Sequence, residues 1–489
     1  MTYQPARPLL AHQATELSRM LGQESWALLM EFGTGKSAVI VADAGRLYTE
    51  GKINGVLILA PKGVYRDWSE ENPETSHWCL NLDPRIFPVF LTRWTGGHTK
   101  LEKWQLSQMK DQKGLVILVV NTEALSNGNR AFDVCMDFLT RRQCMLVCDE
   151  STQLKSPSAK RTKKVIKLAD HAKYRRILTG FPAPRSSLDL YSQFQVLDWK
   201  ILGHKSFFTY RIRYAVIQPL YLGSRTIQQV VGYKNTAELW SKISPYSSRV
   251  RADDCLDLPP LQYVKREVEM PAETRRVYRD LCNQATSELD GGGHVTATLA
   301  ITLIMRLHQI ACGHVTTEDG ALSVLPCDKL DELFELIEEI GETEKIVIWS
   351  HWRHSIQEIT YALWKKFGTG STVQYYGETT ETQRAENLHR FAHDPECRFF
   401  VGSQMAGGRG INDLVVARHA VFYSNPPDLE LRLNAEARTR RKGSEHHSSV
   451  VYHDLITANT VEEKIVKSLR ERLDLASLVV GDKIRDWLV

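Results

Sequence analysis

The stretch WALLMEFGTGKSAVIVADAGRLY (26–48) places an apolar run, a glycine-rich turn and a helix-like segment in direct succession. A glycine-rich turn that opens a helix points several backbone N–H groups and the positive end of the helix dipole at one spot, which suits phosphate. Here Gly33, Thr34 and Gly35 form the turn. Lys36 is placed to reach the β- and γ-phosphates of a nucleotide, and the Ser37 hydroxyl to hold Mg²⁺. The usual signature starts with Gly or Ala and Met30 fills that slot, so a plain glycine-bearing helix start is the competing reading.

A second stretch supports the nucleotide reading. MLVCDE (145–150) is an apolar strand ending in two acids. Asp149 there could hold the metal and Glu150 polarise an attacking water. Strand ends on one edge of a parallel sheet converge on one crevice, so residues about a hundred positions apart can meet there. A third element is RLNAEARTRRKG (432–443), where Arg438 and Arg441 share a face if the segment is helical. Planar guanidiniums on that face could reach a γ-phosphate, although a basic helix is as easily a solvated surface.

Outward from these motifs, the pattern implies two α/β lobes. VLILA (56–60), LVILVV (115–120), MLVCD (145–149) and RRILTG (175–180) form one set of strand-like runs. KIVIWS (345–350), RFFVG (398–402), HAVFYS (419–424) and SSVVYH (448–453) form another. Runs apolar on both faces and alternating with helices imply parallel sheets covered on both sides. Between the sets, the spacing predicts helices over 272–290 and 297–311. LPP (258–260) stops any helix before them, and GGG (291–293) breaks the chain between them. The tail predicts one amphipathic helix over 460–479, with Thr460 as its N-cap. The domain expectation is a first lobe at 1–200, a helical protrusion and linker at 201–325, a second lobe at 326–459 and a brace helix at 460–489.

Composition narrows the class. With 489 residues, 43% of them hydrophobic, and 62 Lys+Arg against 58 Asp+Glu, the chain is neither disordered nor strongly basic. No apolar run approaches the roughly 20 residues that span a bilayer. The start, MTYQPARPLLAHQ (1–13), lacks the apolar core of a signal peptide, so a soluble intracellular protein without a membrane partner is expected. Nine scattered cysteines without a CxxC pair fit a compartment where thiols stay reduced. Cys312, His314 and Cys327 lack a fourth ligand at zinc-site spacing and read as buried thiols and a polar histidine.

Taken in order, MEFGTGKS (30–37), LAPKGVYRDW (59–68), DESTQLKSP (149–157), ILTGFP (177–182), VIWSHW (347–352), GSQMAGGRGINDL (402–414) and NAEARTRRKG (434–443) resemble the motifs of superfamily-two helicases. LKSP (154–157), LDLPP (256–260), the AGGRGIN loop and TVEEKI (460–465) make the chain similar to the Swi/Snf type. The resemblance covers about residues 8–470. It implies two RecA-like lobes in tandem with helical insertions between and on them, and ATP hydrolysis with Mg²⁺ coupled to tracking on DNA. By position it makes Gln13 the adenine-reading glutamine and Thr179 and Gly180 the element that couples hydrolysis to lobe movement. It places Gly410 and Asn412 at the ATP side of the second lobe's loop, and makes Arg438 and Arg441 paired arginine fingers. Its candidate DNA grips are Lys62, Thr122, Lys155, Arg161, Ser403 and Gln404.

The departures from the family pattern are specific. DEST replaces DEAH or DEGH, removing a histidine that links the hydrolysis site to the lobe interface. Asn434 stands for Gln, Arg440 for His, and Met405 for a basic residue. The run KSPSAKRTKKVIKLADHAKYRR (155–176) carries nine Lys/Arg against one acid, and reads as a phosphate-tracking face or a solvated helix. The leading expectation is a monomeric motor on duplex or branched DNA, indifferent to sequence, of bacterial or phage type and serving recombination or replication proteins. A strand-separating DNA or RNA helicase and an ATP-gated DNA adaptor are the alternatives.

Overall fold

Apolar runs of β-branched residues and leucine settle into two all-parallel sheets. The computed structural model describes residues 3–471, except 63, 70–75, 87–89, 97–98, 184–185, 223–224, 291–296, 318–319, 408–410 and 412. The chain divides into a first unit, Met1–Val216 with Gly232–Leu256, and a second, Ile217–Val231 with Asp257–Val489.

The first unit's strands are β1 (Ser25–Met30), β2 (Gly55–Ala60), β3 (Phe90–Trp94), β4 (Val116–Asn121), β5 (Cys144–Cys148) and β6 (Tyr174–Leu178). After them come a two-stranded ribbon of β7 (Ala215–Leu222) and β8 (Arg225–Tyr233), and then β9 (Ser247–Val250). The sheet order is β3-β4-β2-β5-β6-β1-β9, every pair parallel. Alternate residues feed two cores. Leu57, Leu59, Leu118, Val120 and Leu146 face one, and Val56, Ile58, Ile117, Val119 and Val147 the other. This two-sided burial is why the runs are continuously apolar rather than alternating.

The second sheet is built from β10 (Leu261–Val268), β13 (Ile346–Trp349), β14 (Thr372–Tyr375), β15 (Phe399–Gly402), β16 (His419–Phe422) and β17 (Val450–Thr457). Its order is β10-β17-β16-β13-β15-β14, again all parallel. A small antiparallel hairpin, β11 (His314–Thr316) with β12 (Leu322–Val324), precedes β13. Val347, Trp349, Phe400 and Phe422 pack on one face, and Ile346, Ile348, Phe399 and Val421 on the other.

Residues 201–325, expected as a helical protrusion and linker, hold more strand than that. β9 completes the first sheet, β10 forms an edge of the second, and the division between units falls after Leu256. The predicted helices are present at Ala272–Asp290 and Ala297–Ala311. The tail helix runs Val461–Arg470, with the Thr460 side chain accepting from Glu462 N, and residues after 471 lie outside the described ones.

The basic run at 155–176 divides in two. Arg176 is fully buried in β6, where its Nε lies 2.9 Å from Asp43 Oδ2 and its other nitrogens donate to the carbonyls of Gln23 and Glu24. That pair ties the helix Lys36–Thr49 to the strand leading to Thr179. Arg175 likewise donates to Ala172 O and Leu197 O. The helix Lys160–Ala169 buries Thr162, Val165 and Leu168 and exposes Lys160, Lys163 and Lys167. Among the described residues no helix is long and apolar enough to cross a membrane.

Candidate active site

The turn between β1 and the helix Lys36–Thr49 adopts the conformation that its glycines allow: φ is 79° at Gly33 and 83° at Gly35, a region costly for a side-chain-bearing residue. Thr34 N and Oγ1 both donate to Glu31 O, closing the turn. Lys36 Nζ donates to Met30 O at 2.9 Å and Glu31 O at 3.2 Å, so the ammonium lies against the loop that it would serve. Glu31 is anchored to the strand that the sequence pattern missed: its N donates to Val250 O, and its carboxylate accepts from Ala252 N.

Gln13 lies directly on this loop. Its Nε2 donates to Thr34 O at 3.0 Å and its Oε1 accepts from Leu10 N at 3.0 Å. A Cβ at Gly35 would meet Gln13 Nε2 at 2.1 Å and push that amide aside, while φ itself favours glycine there. One donor and one acceptor site of the Gln13 amide are used in this way, and one of each remains. His12 Nε2 also bonds Thr34 O, at 2.8 Å.

The end of β5 carries Asp149, whose Oδ2 accepts from Trp68 Nε1 at 2.8 Å and Oδ1 from Glu150 N at 2.9 Å. Burial pushes the Asp149 carboxyl above its ordinary value, against the pull of the Trp68 N–H, the Lys36 charge and the Glu150 N–H. A buried carboxylate whose charge is penalised in this way gains from a divalent cation, and Ser37 and Asp149 each carry a hard oxygen of the kind that could hold Mg²⁺. Glu150 has φ 46°, a left-handed conformation rare for a residue with a side chain, and it caps the short helix Ser151–Leu154.

Thr179 and Gly180 follow β6. Thr179 is buried, its N donates to Leu28 O, and its Oγ1 accepts from Phe181 N. A Cβ on Gly180 would meet the Phe32 ring at 2.8 Å, so the phosphate loop and this segment pack with no room for a methyl. Phe32 and Trp68 lie in the candidate site, and the sequence alone did not single them out. Trp68 reaches Asp149 across 81 positions, a pairing that only the register of β2 beside β5 reveals.

In the second unit, the helix Leu429–Glu436 stops before Arg438, so helical spacing does not align the two arginines. A shared acceptor brings them together: Arg438 Nη1 and Arg441 Nη1 donate to Ile411 O at 2.9 and 3.3 Å. Arg438 is 5% exposed and also donates to Asn434 O, so part of its guanidinium holds the loop. Gly410 and Asn412, which flank Ile411, lie outside the described residues.

The candidate DNA grips differ in exposure. Lys62 is exposed, and Lys155 and Ser403 are half-buried. Arg161 donates its Nε to Gln153 O, a structural use of part of its guanidinium. Thr122 and Gln404 are buried, and Gln404 Nε2 donates to Ser424 O. Their side chains do not suit a phosphate grip, which needs a donor free to meet solvent. Trp352 is half-buried, edge-on to His308, His314 and His351, rather than an open stacking surface.

Cys312 and His314 are buried and Cys327 half-buried, and Cys312 sits in a cluster that the sequence did not reveal. His308, Cys312 and Glu462 bring ligand atoms within 4.8 Å of one another, while Cys327 Sγ approaches Ala311 O. Lys329 Nζ lies 2.6 and 2.7 Å from the two Glu462 oxygens, so an ammonium already supplies the positive charge that this carboxylate needs. Burial opposes the Glu462 charge, yet Lys329 and His308 hold its carboxyl down to about 2.

Comparisons with known proteins follow this geometry. A family model described as the SNF2-related domain matches residues 12–315, and one described as the helicase conserved C-terminal domain matches 328–443. The chain is 25% identical to protein p41 of the Acyrthosiphon pisum secondary endosymbiont phage 1, over 98% of each chain. It is 23% identical to the DNA annealing helicase and endonuclease ZRANB3 of Bos taurus, over 88% of this chain and 37% of that protein. It is 24% identical to the DNA repair and recombination protein RAD54B of Gallus gallus, over 94% of this chain and 52% of that protein. The chain thus spans about a third to a half of these two longer relatives. A solved structure, the Sulfolobus solfataricus SWI2/SNF2 ATPase core in complex with dsDNA, aligns at a TM-score of 0.41 with 23% identity, over 99% of this chain and 95% of that one.

Proposed function

The chain belongs to the SNF2-related family of helicase-like ATPases, and on that premise we propose that it is an ATP-dependent translocase on duplex or branched DNA. The observation that carries this reading is the first unit's site. A glycine turn opens a helix at Lys36, and a buried Asp149 is held by Trp68 within the field of the Lys36 charge. In this reading Gly33, Thr34, Gly35 and Lys36 hold the phosphates, while Ser37 and Asp149 hold Mg²⁺. ATP with Mg²⁺ supplies the cleavable γ-phosphate and the Lewis acid. Glu150 orients water, Gln13 offers its remaining donor and acceptor to adenine, and Thr179 and Gly180 pass the change on. Arg438 and Arg441 act on the γ-phosphate, and Gly410 and Asn412 belong to the ATP side of the second lobe's loop.

A motor that follows phosphate needs charge without base reading. The exposed row Lys160, Lys163 and Lys167, with Lys62 and Lys155, suits that use. Replacing the row with alanine is expected to weaken binding equally on unrelated duplexes and to flatten the log–log salt dependence by about 0.9 for each phosphate no longer neutralised. An unchanged slope would remove this helix from the DNA surface. Recombination or replication proteins as partners, action as a monomer and an intracellular location belong to the same proposal.

Steady-state ATP hydrolysis without nucleic acid, and with single-stranded DNA, duplex DNA, a branched junction and duplex RNA, tests the reading. Stimulation by duplex or junction DNA is expected. Stimulation by single strands or RNA alone would select a strand-separating helicase, and no stimulation by any of them an ATP-gated adaptor.

A further inference from the structure

The acidic motif here lacks the histidine expected to connect it with the rest of the machine, yet a buried path leaves it at the neighbouring residue. Ser151 Oγ donates to Gln193 Oε1 at 2.7 Å, and both side chains are fully buried. Gln193 Nε2 donates to Pro182 O at 2.6 Å and to Asp189 O at 2.9 Å. Pro182 ends the segment that begins at Thr179 and Gly180, and Gly180 packs against Phe32 of the phosphate loop. The same helix, Leu190–Leu197, makes a second link, from Ser192 Oγ to Lys155 O. On either side of this network stand Glu150 in its left-handed conformation and Thr179 with its hydroxyl bonded to Phe181 N.

We infer that Gln193 is a positioning residue that ties the acidic motif to the Thr179–Pro182 segment, taking the place of the missing histidine within the first unit. The inference rests on the ATPase reading of the site. A side-chain amide is suited to this role because it accepts on one side and donates on the other, so displacement at Ser151 is transmitted to Pro182 without a change of charge. The Ser151 bond is fully buried, where it is stronger than in water, and the Pro182 bond is partly buried. No part of Gln193 needs to touch nucleotide: it sets where Glu150 stands relative to the phosphate loop.

The test compares Gln193→Met, which keeps the volume and removes all three hydrogen bonds of the amide, with the double variant Ser151→Ala/Gln193→Met, which also removes the orphaned hydroxyl. Because the double variant removes both partners of the Ser151–Gln193 bond and leaves only the Pro182 and Asp189 carbonyls without the Gln193 donor, it is expected to regain part of the thermal midpoint lost by Gln193→Met. DNA-stimulated kcat should fall about 10- to 100-fold in both, with KM for ATP within about twofold, as for misplacement of a catalytic group. Recovery of kcat along with stability in the double variant would overturn the inference and leave Gln193 a packing residue. Wild-type kcat in Gln193→Met would do the same. Absence of hydrolysis in the unaltered protein would instead remove the ATPase reading, and this inference with it.

Discussion

Lys36→Ala is expected to abolish ATP hydrolysis, lowering kcat about a thousandfold or to background, with DNA binding near that of the unaltered protein. The size follows from what the ammonium does: loss of one preorganised donor at a site of developing charge costs about 10²–10³ in rate. Lys36 is also a cation felt by the buried Asp149. Its removal takes two contributions at once. The structural cost is smaller, because the change takes the Lys36 donor from the Met30 and Glu31 carbonyls, worth about 1 kcal/mol each. Lys36→Arg is not expected to rescue, since a planar fork does not replace a compact ammonium that acts as a point charge. Single-turnover hydrolysis with a filter-binding control separates the two effects. Retained hydrolysis would undo the phosphate-loop assignment.

Lys329→Met is expected to be the most destabilising single change in the second unit, at about 3–5 kcal/mol, because it leaves a buried carboxylate uncompensated. Lys329 is fully buried, and its ammonium meets Glu462 and Tyr423 O. Thr457 N and His308 also face Glu462, and neither carries a permanent charge. Adding Glu462→Gln to Lys329→Met should recover much of the loss, the non-additivity expected of residues in contact. The pH dependence has a definite sign. In the unaltered protein the Glu462 carboxyl is depressed to about 2, so its contribution is present above the unfolded value near ~4.3. It is lost as pH falls towards about 2. Without Lys329, burial raises the Glu462 carboxyl above its unfolded value, so the deficit of Lys329→Met should narrow as pH falls below neutrality. Urea unfolding of both proteins at two pH values measures this. A deficit that widens instead would contradict the pairing.

The sheets were legible because their strands are buried on both faces. All eight quoted runs, from VLILA to SSVVYH, are strands of the two parallel sheets. The four sheet strands left unread, β3, β9, β10 and β14, are the edge strands of the two sheets, and β10, LQYVKREV, exposes Gln262, Tyr263 and Lys265. The candidate site was legible where its parts are local: the glycine turn and the acidic pair each sit within a few consecutive residues. Trp68 on Asp149 and Gln193 on Ser151 were not, since those contacts join positions 81 and 42 residues apart. The two arginines were found, but for a reason that the structure replaces: a common carbonyl acceptor at Ile411 brings them together, not a helix face.

The basic run shows the same limit. Composition counted nine cations, whereas folding commits Arg176 to Asp43, Arg175 to backbone carbonyls and Arg161 in part to Gln153 O, leaving lysines on the exposed face. Arginine's planar fork satisfies several buried acceptors at once, and lysine's flexible stem keeps its charge in water. A charge count therefore overstates the surface available to phosphate.

The central claim is that ATP hydrolysis moves this protein along intact duplex DNA, and displacement of a third strand from a triplex-bearing duplex tests it most directly. The account predicts release of the third strand that requires ATP and Lys36, while the underlying duplex stays paired. Separation of the duplex strands, or third-strand release that is the same with Lys36→Ala, would contradict it.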